Sequence, residues 1–311
     1  MYIGFDIGGT NIRYALSSNL DAPTKLWFCN AFLKTGDPYT EVEENICKVI
    51  ECHNGIEGIA VSLAANIDRQ SGTIKTWSNN HSWNGYRFVE HLTKRFDVPI
   101  IVEDDANCGA VGEFHSLTCS NNSMVYITIG TGIGCGIIIN GELYYGDNGL
   151  AGELGHISIM HEGEMIPCGC GQLGCLQSLI SGRSLLEGYN SYSNNNVSSV
   201  HEMAEKSLYG DEVARYYLCL FKRSIVNVIY NLSMILDIST FVVGGGVSTV
   251  NNEFFFEIEE NVNSKLKRFG KFIRMYGPKF KDYSGVQGAF YLLDKYIKEK
   301  TYEANCSNKR S

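Results

Sequence analysis

Two glycine-rich turns, each enclosed by apolar strands, are the feature that most restricts the fold of this chain. The first lies in YIGFDIGGTNIRYALSS, residues 2–18, and the second in SMVYITIGTGIGCGIIINGELYYG, residues 123–146. Both stretches predict a strand, a glycine turn and a second strand. The two halves of the chain therefore open in the same way, which indicates a weak internal repeat.

Strands and helices alternate along the rest of the chain, which favours an α/β fold with a mixed sheet. A length of 311 residues suits two domains. We place the boundary in the polar stretch 116–122. This gives a small α/β domain over residues 1–118, completed by a C-terminal helix at 286–300, and a larger α/β domain over 119–285. The last ten residues, YEANCSNKRS, are polar and predict disorder.

Charge and composition exclude several classes of protein. The net charge of −8 argues against a nucleic-acid partner bound through a basic surface. We find no apolar run of 18 residues and therefore expect no membrane span. The N-terminus MYIGFDIGG lacks the features of a signal peptide, so we expect a cytoplasmic protein. Eleven cysteines, an odd number, then predict reduced thiols and no disulfide framework.

Glycines that follow a strand let backbone N–H groups surround phosphate oxygens. Neither turn is a Walker A loop, because the Lys-Ser/Thr ending is absent, and neither is a Rossmann fingerprint, because a strand follows. For either stretch alone an ordinary hairpin turn is an equally good interpretation. Together they indicate two hairpins that face one phosphate chain. The glycines of VVGGGVS, residues 242–248, similarly predict a nucleoside contact or a simple strand-to-helix turn.

Asp105 lies in VEDDANCGAVGEF, where a predicted strand gives way to a helix of small residues. A carboxylate at this position suits a general base that takes a proton from a sugar hydroxyl. Asp is also a good helix N-cap. This stretch alone favours the cap.

Three cysteines, Cys168, Cys170 and Cys175, lie within eight residues. Three thiolates so close together predict a zinc site rather than incidental thiols. A closed tetrahedral site needs a fourth ligand, for which His156 and His161 are both candidates. Such a zinc would be structural and would fix the loop.

These motifs, in this order, resemble the ROK family of sugar kinases and repressors, members of the actin/hexokinase-like ATPase superfamily. The similar segments span nearly the whole chain. They are DIGGT, DDAN, GTGIGCGIIINGELYYGDNGLAGELGH, CGCGQLGC, VVGGG and GVQGA. The resemblance implies a two-domain, actin-like (ribonuclease H-like) ATPase fold with a zinc-binding loop.

The resemblance also implies roles for individual residues, with ATP and catalytic Mg²⁺ as cofactors and Zn²⁺ as a structural ion. Asp105 matches the catalytic base. Three glycine-rich segments match contacts to the nucleotide: the first phosphate loop (Asp6, Gly8, Gly9, Thr10 and Asn11), the second phosphate loop (Gly130, Thr131 and Gly132) and the adenosine contact (Gly244 and Gly245).

The expected sugar contacts are Asn80, Glu153 and His156, where Asn80 opens an Asn-x-x-Trp stretch. His156 also matches the fourth zinc ligand, with Cys168, Cys170 and Cys175, and is therefore preferred to His161. One ring nitrogen would hold zinc while the other faces a sugar hydroxyl.

The sequence departs from the family pattern at three places that bear on the sugar. Asp104 replaces an Asn that contacts the sugar, and Ala64-Ala65 replaces Pro-Gly in the sugar loop. Gln177 replaces a Glu that accepts hydrogen bonds from hydroxyls near C1 and C2, so one acceptor and the charge are lost.

The implied activity is ATP-dependent phosphorylation of the 6-hydroxyl of a glucose- or allose-like aldohexose. AGELGH is similar to the glucokinase and D-allose kinase branch. An N-acetylmannosamine, N-acetylglucosamine or fructose kinase is the alternative. A non-catalytic sugar-responsive regulator is less favoured, because Asp6 leaves no room for a preceding DNA-binding domain. We expect a homodimer with a hexose and ATP as ligands, and no nucleic-acid or membrane partner.

Overall fold

The structure, a computed structural model, describes residues 1–8, 12–20, 29–31, 39–77, 81–117, 121–159, 165–249 and 252–308. The chain forms two units. The first comprises Met1–Leu117, Tyr145–Leu150 and Asp282–Ser311, and the second comprises Thr118–Tyr144 and Ala151–Lys281.

The described residues form both strands and helices, which confirms the predicted mixed α/β fold. The strands are β1 (Tyr2–Ile7), β2 (Ile12–Ser17), β3 (Cys29–Ala31), β4 (Gly58–Leu63), β5 (Asn66–Asp68), β6 (Thr73–Thr76), β7 (Ile100–Asp104), β8 (Met124–Ile129), β9 (Ile133–Ile139), β10 (Glu142–Leu143), β11 (Thr240–Gly244) and β12 (Arg274–Tyr276). The α-helices are α1 (Tyr39–Glu51), α2 (Phe88–Arg95), α3 (Asp105–Ser116), α4 (Leu176–Ile180), α5 (Gly182–Tyr192), α6 (Val200–Leu208), α7 (Glu212–Leu236), α8 (Asn252–Leu266) and α9 (Ser284–Asn308). Short 3-10 helices lie at His81–Trp83, Leu154–His156, Gly246–Thr249, Lys267–Phe269 and Lys281–Tyr283.

The sheet of the first unit has the order β3-β2-β1-β4-β7. The strands β1 and β2 are antiparallel, whereas β1, β4 and β7 run parallel. Every residue of β4, the strand between β1 and β7, is buried, as expected for a parallel strand covered on both faces. The parallel strands bring their carboxyl ends to one edge of the sheet.

The sheet of the second unit repeats this order as β10-β9-β8-β11-β12. Here β8 and β9 form the antiparallel hairpin, and β11 lies parallel to both β8 and β12. The predicted internal repeat is therefore confirmed. A tight turn joins β9 to β10, where Asn140 and Gly141 both have positive φ, of 55° and 83°. This is the type I′ geometry that the Asn-Gly pair favours.

Glycines allow α3 and α9 to approach each other at backbone distance in the first unit. A Cβ on Gly112 would lie 2.5 Å from the carbonyl oxygen of Ser284, and a Cβ on Gly288 would overlap the carbonyl of Cys108. Glu113, also on α3, accepts a 2.5 Å hydrogen bond from the Ser284 hydroxyl, and both residues are buried. The start of α9 is thus fixed against the helix that begins at Asp105.

The two long helices, α7 and α9, bear on expectations from the sequence. The predicted disorder over residues 302–311 is wrong as far as Asn308, because α9 extends to that residue. Among the residues that the structure describes, one helix, α7, is long and apolar enough to cross a membrane by length and composition alone. Nine of its residues are buried, among them Phe221, Ile225 and Ile229, and belong mostly to the core of the second unit, so α7 has the character of a core helix.

Candidate active site and metal centre

The turn from β7 into α3 carries the adjacent carboxylates Asp104 and Asp105. Asp104 is the N-cap of α3, since its Oδ1 accepts hydrogen bonds from the backbone N–H groups of Ala106 at 3.0 Å and Asn107 at 3.1 Å. Asp105 is the first helical residue. The interpretation of Asp105 as the cap is therefore wrong, because its neighbour fills that role. The role of Asp104 as a sugar contact stays a prediction.

Asp6 lies near the end of β1, in the same sheet as the strand β7 that leads into this turn. It pairs in register with Ser62 on β4, and Ser62 pairs with Glu103 on β7. These three residues therefore lie side by side on three parallel strands. The Ser62 hydroxyl donates a 2.9 Å hydrogen bond to Asp6 Oδ1. Burial raises the pKa of the Asp6 carboxyl. Gly8 follows β1, while Gly9, Thr10 and Asn11 lie outside the described residues.

Two residues close to Asp6 were not predicted as site residues: Ser62, and Gly285 on the first turn of α9. A Cβ at Gly285 would lie 2.7 Å from Ser62 Oγ and 3.0 Å from Asp6 Oδ1. Only a residue without a side chain allows this approach. The motif GVQGA contains Gly285, but Asp6 is nearly the whole chain away in sequence. A local motif therefore cannot predict the contact between the two residues.

The second glycine loop and the glycines after β11 meet at one edge of the second sheet. Residues 130–132 connect β8 to β9, and the Gly130 N–H donates to the carbonyl of Gly132 at 2.9 Å. Gly245 follows β11 with a φ of 86°, and a Cβ there would overlap the backbone of Ile129 at the end of β8. Since β8 and β11 are parallel neighbours, the predicted phosphate contacts and the predicted adenosine contacts Gly244 and Gly245 lie together. Ligands of open α/β sheets bind at this kind of edge.

The four predicted metal ligands converge in the second unit. One ligand atom from each of His156, Cys168, Cys170 and Cys175 lies within 4.8 Å of every other. His156 ends a short 3-10 helix, and Cys175 is the residue before α4. Among the described residues between them, Gly171 and Gly174 have positive φ angles, of 88° and 73°. His161, the other candidate, lies outside the described residues.

The distances within this group match a tetrahedral zinc site. Zn–S bonds of 2.3 Å at tetrahedral angles place two sulfurs about 3.8 Å apart, and a sulfur and a ring nitrogen about 3.5 Å apart. The Sγ atoms of Cys170 and Cys175 are 3.7 Å apart, and Cys168 Sγ is 3.7 Å from His156 Nδ1. The residues present therefore fit a zinc ion, with Nδ1 as the nitrogen ligand.

The thiols of this group differ in acidity. Burial raises the pKa of Cys168, but hydrogen bonds from the Cys170 backbone and the Gln177 amide outweigh burial and lower it to about 6. Burial raises the pKa of Cys175, as do its contacts with the two other thiols. A site that already favours one thiolate suits a cation.

Gln177 lies on the first turn of α4 and points toward the metal ligands. Its Nε2 donates to Cys168 Sγ at 3.3 Å. Its Oε1 lies 2.9 Å from the position of a Cβ on Gly155 and 3.2 Å from that of a Cβ on Gly132. Gln177 therefore contacts the thiolate and adjoins the second glycine loop, a position that sequence spacing did not predict.

The remaining predicted sugar contacts are only partly described. The exposed carboxylate of Glu153 lies 3.9 Å from His156 Nε2, the ring nitrogen that faces away from the thiols. Asn80 lies outside the described residues, although Trp83, three residues later, is fully buried. Within the second unit the structure thus brings Glu153, His156 and Gln177 together.

Comparison with known proteins gives matches over almost the whole chain. The family model described as "ROK family" matches residues 2–296. A glucokinase from Halalkalibacterium halodurans is 28% identical over 288 residues, which cover 84% of each chain. An N-acetyl-D-glucosamine kinase from Photobacterium profundum is 27% identical over 307 residues, covering 94% of this chain and 99% of that protein. The crystal structure of a ROK family glucokinase from Streptomyces griseus in complex with glucose and AMPPNP is 25% identical, with a TM-score of 0.75 and coverage of 94% and 98%.

Proposed function

The chain belongs to the ROK family and is a sugar kinase, and on that premise we propose that it phosphorylates the 6-hydroxyl of a glucose- or allose-like aldohexose. ATP is the phosphoryl donor, as the AMPPNP-bound relative suggests. We further propose that the protein works in the cytoplasm.

Asp105 is the proposed general base. It accepts the proton of the sugar 6-hydroxyl while that oxygen bonds to the γ-phosphorus and the bond between the γ-phosphorus and the ADP oxygen breaks. The observation that carries this assignment is the capping of α3 by Asp104, because the helix does not need the Asp105 carboxylate as its cap.

The glycine loops would bind the nucleotide through backbone N–H groups. Loop 130–132 would face phosphate oxygens, and Gly244 and Gly245 would lie against the nucleoside. Mg²⁺ bound with ATP would offset the phosphate charge. Asp6 lies near the end of β1, at the start of the first phosphate loop, and its carboxylate offers the oxygen ligand type that Mg²⁺ prefers.

We propose that zinc bound by Cys168, Cys170, Cys175 and His156 is structural, because four protein ligands leave no open position. The ion would fix the loop from which α4 begins. It would also hold the His156 ring with Nε2 directed toward Glu153, as the structure has it. This arrangement supports a sugar contact from both side chains.

An N-acetylhexosamine is the second candidate substrate. The N-acetyl-D-glucosamine kinase from Photobacterium profundum matches a larger share of the chain than the glucokinase does. Coupled ADP release with glucose, allose, mannose, fructose, N-acetylglucosamine and N-acetylmannosamine distinguishes the candidates. The highest kcat/KM for an N-acetylhexosamine would overturn the aldohexose assignment.

The base is tested by comparing Asp105→Asn with Asp104→Asn. Asn caps helices about as well as Asp and is also the sugar-contacting residue of the family pattern at this position, so Asp104→Asn should keep turnover within severalfold of the wild type. Asp105→Asn should lower kcat by about 10²–10⁴-fold while sugar and ATP still bind, because only proton transfer is lost. Near-normal turnover of Asp105→Asn would refute the assignment.

A further inference from the structure

The carboxylate of Glu103, at the end of β7, is buried and accepts four hydrogen bonds. Arg69 donates two of them, from Nε to Oε2 at 2.7 Å and from Nη2 to Oε1 at 2.6 Å. The Asp104 N–H donates to Oε1 at 2.9 Å, and the Asn107 amide does so at 3.0 Å. Two of the four donors thus belong to the turn that carries Asp105.

Arg69, one residue after β5, is itself held in place. Its guanidinium lies 3.5 Å from the ring centre of Tyr145, in a cation–π contact. A Cβ on Gly149 would lie 3.0 Å from Arg69 Nη1. Arg69, Glu103, Tyr145 and Gly149 all belong to the first unit. The segment 145–150 therefore packs against the guanidinium, with Tyr145 over its face and Gly149 close to Nη1.

Stability alone is a weak explanation for this pair. The side chain of Glu103 is only 7% exposed, and the desolvation of a buried ion pair commonly cancels its attraction. The bidentate geometry instead fixes the orientation of the Glu103 carboxylate, since a planar guanidinium matches a carboxylate in one arrangement. Arg95 of the same unit offers a contrast, because it pairs with the exposed Glu44 and Glu51, neither of which is a predicted site residue.

We propose that Arg69 and Glu103 are positioning residues that set the orientation of the turn carrying Asp105. This inference rests on the proposed role of Asp105 as the base. Arg69 fixes the Glu103 carboxylate, which fixes the Asp104 N–H and the Asn107 side chain on either side of Asp105. Neither residue exchanges a proton with the substrate.

Loss of Arg69 should therefore misplace the base without removing it. A displacement of about 1 Å at a reacting group costs on the order of 10²-fold in rate. We expect kcat of Arg69→Ala to fall by about that factor, while KM for ATP stays within about twofold, because the glycine loops are intact. Guanidinium ion at millimolar concentration should restore part of kcat by occupying the vacated position beside Glu103.

The test compares Arg69→Ala, Arg95→Ala and Asp105→Asn with the wild type, with kcat, KM, guanidinium rescue and the folded fraction measured for each. Arg95→Ala should match the wild type and should not respond to guanidinium. Wild-type kcat for Arg69→Ala, or a loss that equals the unfolded fraction and resists rescue, would overturn the positioning role.

A variant that keeps the charge makes the test independent of folding defects. Arg69→Lys supplies a point charge without the two-pronged geometry, so its kcat should fall at least severalfold at an unchanged thermal midpoint. A kcat equal to that of the wild type would refute the inference. Near-normal turnover of Asp105→Asn would instead refute the proposed base, so the two failures are distinguishable.

Discussion

Replacement of Gln177 by Glu should weaken zinc binding at the cysteine cluster. In the wild type the Gln177 amide donates to Cys168 Sγ over 3.3 Å. A Glu at this position has no donor and brings a negative oxygen to the same sulfur. Zinc binding requires thiolates, so the variant loses a favourable contact and gains a repulsive one.

The distance between the side chain of residue 177 and Cys168 Sγ sets the size of the expected loss of zinc affinity. Two unit negative charges 3.3 Å apart repel by about 1.3 kcal/mol at the dielectric constant of water and by about 5 kcal/mol at an effective value of 20. Gln177 is partly exposed, which favours the lower part of this range. Loss of a hydrogen-bond partner of a metal ligand typically costs 10- to 100-fold in affinity. We therefore expect the zinc dissociation constant to rise roughly 10- to 100-fold, or about 1.4–2.7 kcal/mol.

Competition with a chromogenic zinc chelator measures this constant for the wild type, Gln177→Glu and Gln177→Met. Met is similar in length but neither donates nor carries charge, so its loss should be smaller than that of Glu. Zinc held by Gln177→Glu as tightly as by the wild type would show that the hydrogen bond to Cys168 contributes nothing to the site.

Three further predictions concern the sugar site, the metal and the first phosphate loop. Gln177→Glu should change the ratios of kcat/KM among glucose, allose, mannose and N-acetylmannosamine severalfold, because a carboxylate forms stronger hydrogen bonds with hydroxyls than an amide does; a uniform shift would show that Gln177 does not select the sugar. Elemental analysis should find about one zinc per chain in the wild type and much less in Cys170→Ser; wild-type protein purified without chelators and free of zinc would contradict the metal assignment. Gly285→Ala should lower the free energy of unfolding by about 1–3 kcal/mol and reduce turnover, because its Cβ would press on Ser62 and Asp6. Gly277→Ala, with no atom within 4 Å of its Cβ, is the matched control in the same denaturation and turnover assays, and equal behaviour of the two variants would refute the contact.

The sequence predicted those features that depend on local pattern. Alternation of apolar residues with glycine turns predicted both hairpins, and the spacing of the three cysteines predicted that their thiols converge. The type I′ turn at Asn140 and Gly141 follows from the same kind of rule, since Asn and Gly tolerate positive φ. Each of these features is decided within a few residues of chain.

Features that depend on side-chain direction could not be predicted in this way. Asp104 and Asp105 are adjacent and chemically equal, and the choice of cap depends on the dihedral angles at the end of β7. Gln177 has the spacing of a sugar contact, but its side chain bends toward Cys168. Arg69 carries no motif, and it reaches Glu103 only because the fold brings residues 34 positions apart into contact.

The two sheets carry different chemistry at equivalent places, and this bears on where specificity can change. In each sheet the first strand of the hairpin runs parallel to the next strand in the sheet order, as β1 does to β4 in the first unit and β8 does to β11 in the second. The proposed phosphate and nucleoside contacts lie at or just after the ends of β1, β8 and β11, and the ATP that they would bind is the same for every sugar substrate. The segment from Glu153 to Gln177 belongs to the second unit, and it contains both the proposed metal ligands and a departure from the family pattern. A change of sugar preference can therefore arise there while both glycine turns keep their geometry.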